Sequence, residues 1–241
     1  MSITLSTGQF ATFSQCGHKY LLASQGVEIP ATTRQAVSRA VRAAVQQDLR
    51  QNAPQSPQEA RHWIDGLAQG EMARVALTPA EAARGMKTTT DRVAYSATRL
   101  YGLWRACVKP RIHHTHLGRG FELGIGGATI TGTIEIQESG GVRATKVRTR
   151  HPEKGESERD VGLILQAIAA GAERVTTDYL IESDPLAVDR QEWSLSDAQV
   201  EMARNRVKAA AAAIEMGAFL PCDTSDWRCT SCPLHAICLY V

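Results

Sequence analysis

Cys229, Cys232 and Cys238 follow the spacing C-x2-C-x5-C near the end of the chain. A C-x2-C pair turns two thiolates toward one point from a single turn, and a third cysteine close by suits a thiophilic metal. A tetrahedral site needs a fourth donor. Cys16 is the first candidate, and Cys222 is the local rival. If Cys16 is the donor, the site staples the two ends of the chain together, and residues 1–241 close into one domain. Six cysteines, without a basic-then-apolar leader pattern, are read as ligands and buried thiols of a reducing cytoplasm rather than as disulfides. Cys107, on an apolar helix, is expected to be a buried small hydrophobe.

The other residues with chemical potential are cations. Net charge is only +2 over 241 residues, so composition alone demands no nucleic-acid partner. Lys and Arg nevertheless gather in residues 99–119 and 143–154, and Arg34, Arg39, Arg42 and Arg50 lie off the apolar stripe of one helix. His113, His114 and His116 have no acid or cysteine close in sequence, which favours a loop near nucleic acid, among Lys109, Arg111 and Arg119, over a metal site. No apolar run reaches membrane-spanning length, so no membrane partner is expected.

These residues need elements to place them. Ser6 or Thr7 can cap a short N-terminal helix that carries Cys16 within it. Thr32 and Gln35 form a capping box for a helix over residues 31–51, and residues 52–57 make a polar break. Ser56-Pro57-Gln58-Glu59 and Thr78-Pro79-Ala80-Glu81 are two further helix starts, and another helix spans residues 90–108. Residues 31–109 thus form a helical block. From Lys109 the apolar period changes to two, with Gly126-Gly127 and Ser139-Gly140-Gly141 as breaks, which predicts an antiparallel three-stranded meander ending with residues 142–149. A buried helix over 161–170, a strand over 176–181, a short strand near 193–195 and a long helix over 196–216 follow. The last helix delivers the chain to a cysteine tail, residues 217–241, that closes on the N-terminal helix. The fold class is α+β: a small mixed β-sheet flanked by helices, with a helical insertion and a C-terminal cysteine cluster.

In this order four segments carry a resemblance. They are Phe13-Ser14-Gln15-Cys16-Gly17-His18-Lys19-Tyr20, Gly132-Thr133-Ile134-Glu135-Ile136, Leu165-Gln166, and Phe219-Leu220-Pro221 followed by the three cysteines. Together they resemble the RecB-type nucleases of the PD-(D/E)XK superfamily. More narrowly they are similar to the branch with an iron–sulfur staple, seen in AddB and in CRISPR adaptation nucleases. The resemblance implies that Cys16, Cys229, Cys232 and Cys238 hold a 4Fe–4S cluster, with zinc as the alternative for an all-thiolate set. It leaves Cys222 free and His18 and His235 as bystanders.

The resemblance also exposes what is missing. Such nucleases hold divalent cations with hard carboxylate oxygens, beside a lysine and an upstream histidine. Here Glu135 stands at the first acid, Lys146 at the second, Arg148 at the lysine and Ser38 at the histidine, while Gln166 is kept without its following tyrosine. These are degenerate positions, so no catalytic residue is assigned. Strand alternation puts Lys146 and Arg148 on one face, where next to Glu135 they would form an ion-pair cluster. The resemblance implies a DNA-binding groove without hydrolysis, contacted by Lys146, Arg148, Arg143, Arg150, Arg111, Arg119, Arg39 and Arg42. The plainer reading leaves Lys146 and Arg148 as exposed strand residues without a role.

The function expected is therefore a nuclease-dead, cluster-bearing DNA-binding subunit of a larger complex. One such setting is a CRISPR effector that reads a target-flanking motif beside guide RNA. One alternative is a working RecB-type nuclease with displaced ligands, among Glu122, Glu135 and Glu138, serving recombination or phage replication. Another is a zinc-stabilised protein-interaction module.

Overall fold

The structure is a computed structural model that describes residues 3–50, 56–223, 229, 232–234 and 238. Most of its helices begin where side chains can satisfy the free amides of a first turn. Ser6, Thr32, Ser56, Thr78 and Ser196 each accept from the amide three residues on, and the Gln or Glu there reaches back to the cap amide. These capping boxes open α1 (Thr7–Gln15), α3 (Thr33–Leu49), α4 (Pro57–Met72), α5 (Pro79–Arg84) and α8 (Asp197–Glu215). Between them lie α2 (Gly17–Ser24), α6 (Met86–Cys107) and α7 (Val161–Ala170).

Among the described residues six strands form one mixed sheet: β1 (Ile3–Ser6), β2 (His114–Ile125), β3 (Ala128–Glu138), β4 (Gly141–Arg148), β5 (Arg174–Ile181) and β6 (Ala187–Ser194). Their order is β1-β3-β4-β5-β6, with β2 paired to β3. β1 runs parallel to β3 and β4 runs parallel to β5, while the remaining pairs are antiparallel. The α+β class and the mixed sheet flanked by helices stand as expected.

Two apolar cores sandwich the sheet. On one side α3, α4 and α6 pack around Val41, Ile64, Leu100 and Trp104, against Val147 and Leu180 of the sheet. On the other, Leu5, Ile130, Ile134 and Val142 meet Ile164 and Leu165 of α7 and Val207 of α8. The helical block is thus the layer that roofs one sheet face. Within it Asp48 is fully buried at the end of α3, paired with Lys109 at 2.6 Å and accepting from the Tyr101 hydroxyl at 2.8 Å.

Several local expectations are corrected. Leu5 and its neighbours form a strand before the first helix. Cys16 does not sit inside a helix: its extended backbone (φ −163°, ψ 112°) separates α1 from α2, and its Sγ accepts from the Lys19 amide as the cap of α2. His114 and His116 belong to β2, paired with Glu138 and Gln137, rather than to a loop. The final short strand extends back to Ala187. Cys107 is exposed, at the last turn of α6, rather than buried. Residues 51–55, most of the polar break, and His235 lie outside the described residues.

The two chain ends meet. Gly17 N–H donates to the Leu220 carbonyl at 2.9 Å, and the Tyr20 ring stacks on Phe219 with centroids 6.1 Å apart. A Cβ on Gly17 would stand 2.8 Å from the Leu220 carbonyl oxygen and 3.0 Å from the Phe219 carbonyl carbon. That contact is with backbone, which cannot swing aside. Gly17→Ala is therefore expected to undock the segment after Gly217 and to cost about 1–3 kcal/mol, as overpacking does. Chemical denaturation reads the loss. Limited proteolysis should cut after residue 217 faster in the variant than in the parent.

Candidate functional site: a forked cleft in the sheet

The site lies where two strands part. β2 covers one edge of β3 along its length, so β1 and β4 share the other edge. β1 takes Ala128 to Thr131, and β4 pairs only with Ile136, Gln137 and Glu138. Glu135 sits in the gap between, where the ladder has opened. Buried backbone amides at such a fork need partners, because an unpaired one forfeits a hydrogen bond. Side chains supply them: Glu135 N–H donates to Gln166 Oε1 at 3.4 Å, and Thr145 N–H donates to Glu135 Oε2 at 3.3 Å. Gly132 is required nearby, since a Cβ there would lie 2.7 Å from the Phe121 ring and 2.9 Å from the Thr7 methyl.

The fork opens into a cavity of about 560 Å³. Ser38 and Arg42 of α3, Glu135, Lys146, Arg148, Asp160 and Gln166 all line it. Five expected positions therefore do converge: Ser38, Glu135, Lys146, Arg148 and Gln166. The ion pairs differ from the expected cluster of Lys146 and Arg148 with Glu135. Arg42 Nη1 binds Glu135 Oε1 at 3.1 Å, Lys146 binds Asp160, and Arg148 binds Glu156. Three cations thus meet three carboxylates. The Lys146 ammonium and Arg148 guanidinium also lie 5.8 and 5.9 Å from the ring centroid of the buried Tyr179, which β5 sets beside Lys146 in register. Burial and the Glu156 carboxylate push the Tyr179 hydroxyl up to about 12.

Asp160 is the residue that sequence reading missed. It caps α7, accepting from the Leu163 amide at 3.2 Å. The signal was an acid directly before the apolar helix at Val161, the usual place for a cap. Burial opposes its ionisation, yet the Lys146 ammonium and the amides of Leu163 and Gly162 overcome this and hold its carboxyl below the ordinary 3.8. A carboxyl with a depressed folded value stabilises the protein above its unfolded value and loses that contribution as pH falls through the folded one. Asp160→Asn should therefore melt lower than the parent at neutral pH, and the gap should close well below pH ~4. Thermal melts across a pH series check this; a gap that stays constant into acid would contradict it.

Other expected contacts are placed differently. Arg143 is buried (side chain 6% exposed) among Glu138, Asp178 and the Arg111 carbonyl. It holds the sheet together and cannot reach a phosphate, which corrects its assignment to the groove. Arg39 pairs with Glu71 of α4, outside the cavity, and Arg119 reaches Gln137 on the neighbouring strand. Arg111 and Arg150 are exposed but do not line the cavity. Glu122 is exposed on β2 and Glu138 is held by Arg143; neither lines the cavity.

One residue along the chain from Gln15, which lines the cavity, Cys16 meets thiols of the C-terminal segment. Cys222 lies against both Cys16 and Cys229, and burial together with these two thiols pushes the Cys222 thiol up to about 11. Cys229 is 7% exposed, and its carbonyl accepts from the Cys232 amide at 2.9 Å. Among the described residues no group of three or more His, Cys, Asp or Glu side chains is arranged to hold a metal ion. The donor chemistry at the junction, thiols from both ends and an amide hydrogen bond to Cys16 Sγ, is nonetheless of the kind that thiophilic centres use.

The frame is thus a mixed sheet, roofed by helices and forked at an acid opposite a capped helix. The profile of the PD-(D/E)XK nuclease superfamily matches residues 4–239, and the chain belongs to that superfamily. Among solved structures, a provisionally assigned exonuclease from Eubacterium rectale is similar at TM-score 0.57 and 10% identity, over 94% of this chain and 87% of that one. At that identity the likeness is one of fold. LHK-Exo in complex with dAMP is similar at TM-score 0.32 and 13% identity, over 77% of this chain and 92% of that one. No curated protein matches the chain in sequence. Among the described residues, no helix is long and apolar enough to cross a membrane.

Proposed function

We propose that the chain is a DNA-binding member of its superfamily that does not cut, acting as a subunit of a larger nucleic-acid complex. The observation that carries this reading is the Lys146–Asp160 pair in the cavity, at a position where the sequence resemblance calls for a metal-binding acid. A unit positive charge about 4 Å from a divalent cation, at an effective dielectric near 20, opposes it by about 8 kcal/mol. Glu135 is likewise engaged, by Arg42 and by the Thr145 amide. The same cations suit phosphate, because an arriving phosphate can take over Arg148 or Lys146 from its carboxylate partner.

Filter binding of duplex and single-stranded DNA across a salt series tests the reading. Affinity should fall steeply as salt rises. Arg148→Gln should weaken binding about tenfold or less and flatten the slope by about one phosphate contact. A flat or absent response in the parent would favour a protein-interaction module instead.

A CRISPR effector or a recombination complex would give such a subunit its place, with guide RNA or a partner enzyme supplying what the chain lacks. Cys16, Cys229, Cys232 and Cys238 would hold a 4Fe–4S cluster, or zinc, as a staple between the chain ends. The position of Cys222 against Cys16 and Cys229 makes it a rival donor. Visible absorbance and metal content of anaerobically purified Cys16→Ser and Cys222→Ser proteins separate these assignments.

A second reading has one observation in its favour. Asp160 and Glu135 line the same cavity, so two acids are present if Lys146 swings away. A manganese-dependent nuclease built on that pair would degrade DNA, and Asp160→Asn would abolish the activity.

A further inference from the structure

A second cleft, of about 240 Å³, opens beside the forked cavity and is lined by Arg34 of α3, Arg84 of α5 and Arg92 of α6, with Thr149 just past β4. We propose that this cleft is the path by which a single nucleic-acid strand leaves the forked cavity, with Arg34 and Arg92 holding its phosphates. The inference rests on the DNA-binding reading and deepens it.

Three features of the molecule support it. The first is unsatisfied charge. Among the described residues neither Arg34 nor Arg92 enters an ion pair, unlike Arg42, Lys146 and Arg148 in the neighbouring cavity. The Glu81 carboxylate nearby is already occupied: it accepts from Thr33 Oγ1, Thr78 N–H and Thr78 Oγ1, each at 2.8 Å. These bonds, with Arg84 close by, overcome partial burial and hold its pKa below the ordinary value of 4.5. Glu182 also lines the cleft, so three guanidiniums face two carboxylates; the surplus positive charge, with Arg34 and Arg92 outside any ion pair among the described residues, favours phosphate.

The second is continuity. Arg34, Ser38 and Arg42 stand four residues apart on one face of α3. Arg34 lines the second cleft, and Ser38 and Arg42 line the first. The clefts also share the end of β4, where Arg148 lines one and Thr149 the other. At about 1.5 Å per residue the three α3 positions span about 12 Å, the length of three or four stacked nucleotides at about 3.4 Å each.

The third is size. The cleft encloses about 240 Å³ against about 560 Å³ in the forked cavity, so it is the narrower of the two and suits one strand better than a duplex.

Fluorescence anisotropy with labelled oligo-dT and with a duplex of equal length, over a salt series, tests the path. Arg34→Gln/Arg92→Gln should weaken oligo-dT binding about tenfold or more. It should also lower the slope of log K against log salt by about 1.4, two contacts at about 0.7 each. The duplex should lose less. Arg34→Lys/Arg92→Lys keeps the charge and should retain the slope, which separates phosphate contact from a change in fold. If the parent binds oligo-dT and Arg148→Gln weakens it while Arg34→Gln/Arg92→Gln does not, the path is wrong and the DNA-binding reading survives. If the parent binds no nucleic acid, both fall together.

Discussion

Asp178→Ala is expected to cost about 3–5 kcal/mol of stability. Asp178 is fully buried at the centre of β5, bound by Arg190 at 2.7 Å and facing Arg143 at 3.7 Å. Removing its carboxylate takes away the partner of Arg190, while the buried Arg143 keeps Glu138 at 3.4 Å and the Arg111 carbonyl. Two guanidiniums then face one carboxylate, and the excess charge costs far more than the intact pair contributes, because its desolvation is no longer offset. Adding Arg190→Leu to the variant removes the excess charge and should recover much of the loss. Denaturant unfolding of the two variants reads both effects. If the double variant is no more stable than the single one, Arg190 is not the cost it is taken to be. Oligonucleotide affinity, measured on the folded double variant, should match the parent, since Arg190 serves the sheet and does not line the cavity.

Lys146→Glu should reverse the response of the forked cavity to divalent cations. The substitution removes the partner of Asp160 and sets a new carboxylate between Asp160 and Glu135. Without metal, like charges in a part-buried cavity destabilise the fold and raise carboxyl pKa values. With metal, the same oxygens become hard ligands for manganese or magnesium. Melting of this variant should therefore rise with manganese, by about 2.7 kcal/mol in stability at a hundredfold excess over the dissociation constant. The parent should show little change. Equal manganese responses in both proteins would mean that Lys146 does not guard the cavity.

Much of the scaffold could be read from the residues because local chemistry set it. The capping boxes at Thr32, Ser56, Thr78 and Ser196 mark helix starts found in the structure, and the apolar run at Val161 is the helix expected there. The convergence of Ser38, Glu135, Lys146, Arg148 and Gln166 on one cavity followed from the resemblance and from strand alternation. What stayed hidden depended on pairing between distant segments. A four-residue strand with one buried side chain, Leu5, has too short a pattern to separate it from the helix it precedes. Arg143 reads as a surface cation until Asp178 and Glu138 are brought to it across the sheet. Asp160 reads as a helix cap, which it is, and only the fold brings it to Lys146. The apposition of Cys222 with Cys16 likewise needs both chain ends in place.

Incubating purified protein with single-stranded and duplex DNA in manganese, and following both binding and strand length, tests the central claim most directly. The expected result is DNA that is retained, salt-sensitively, and remains intact. Manganese-dependent shortening of the DNA that disappears on Glu135→Gln would contradict it.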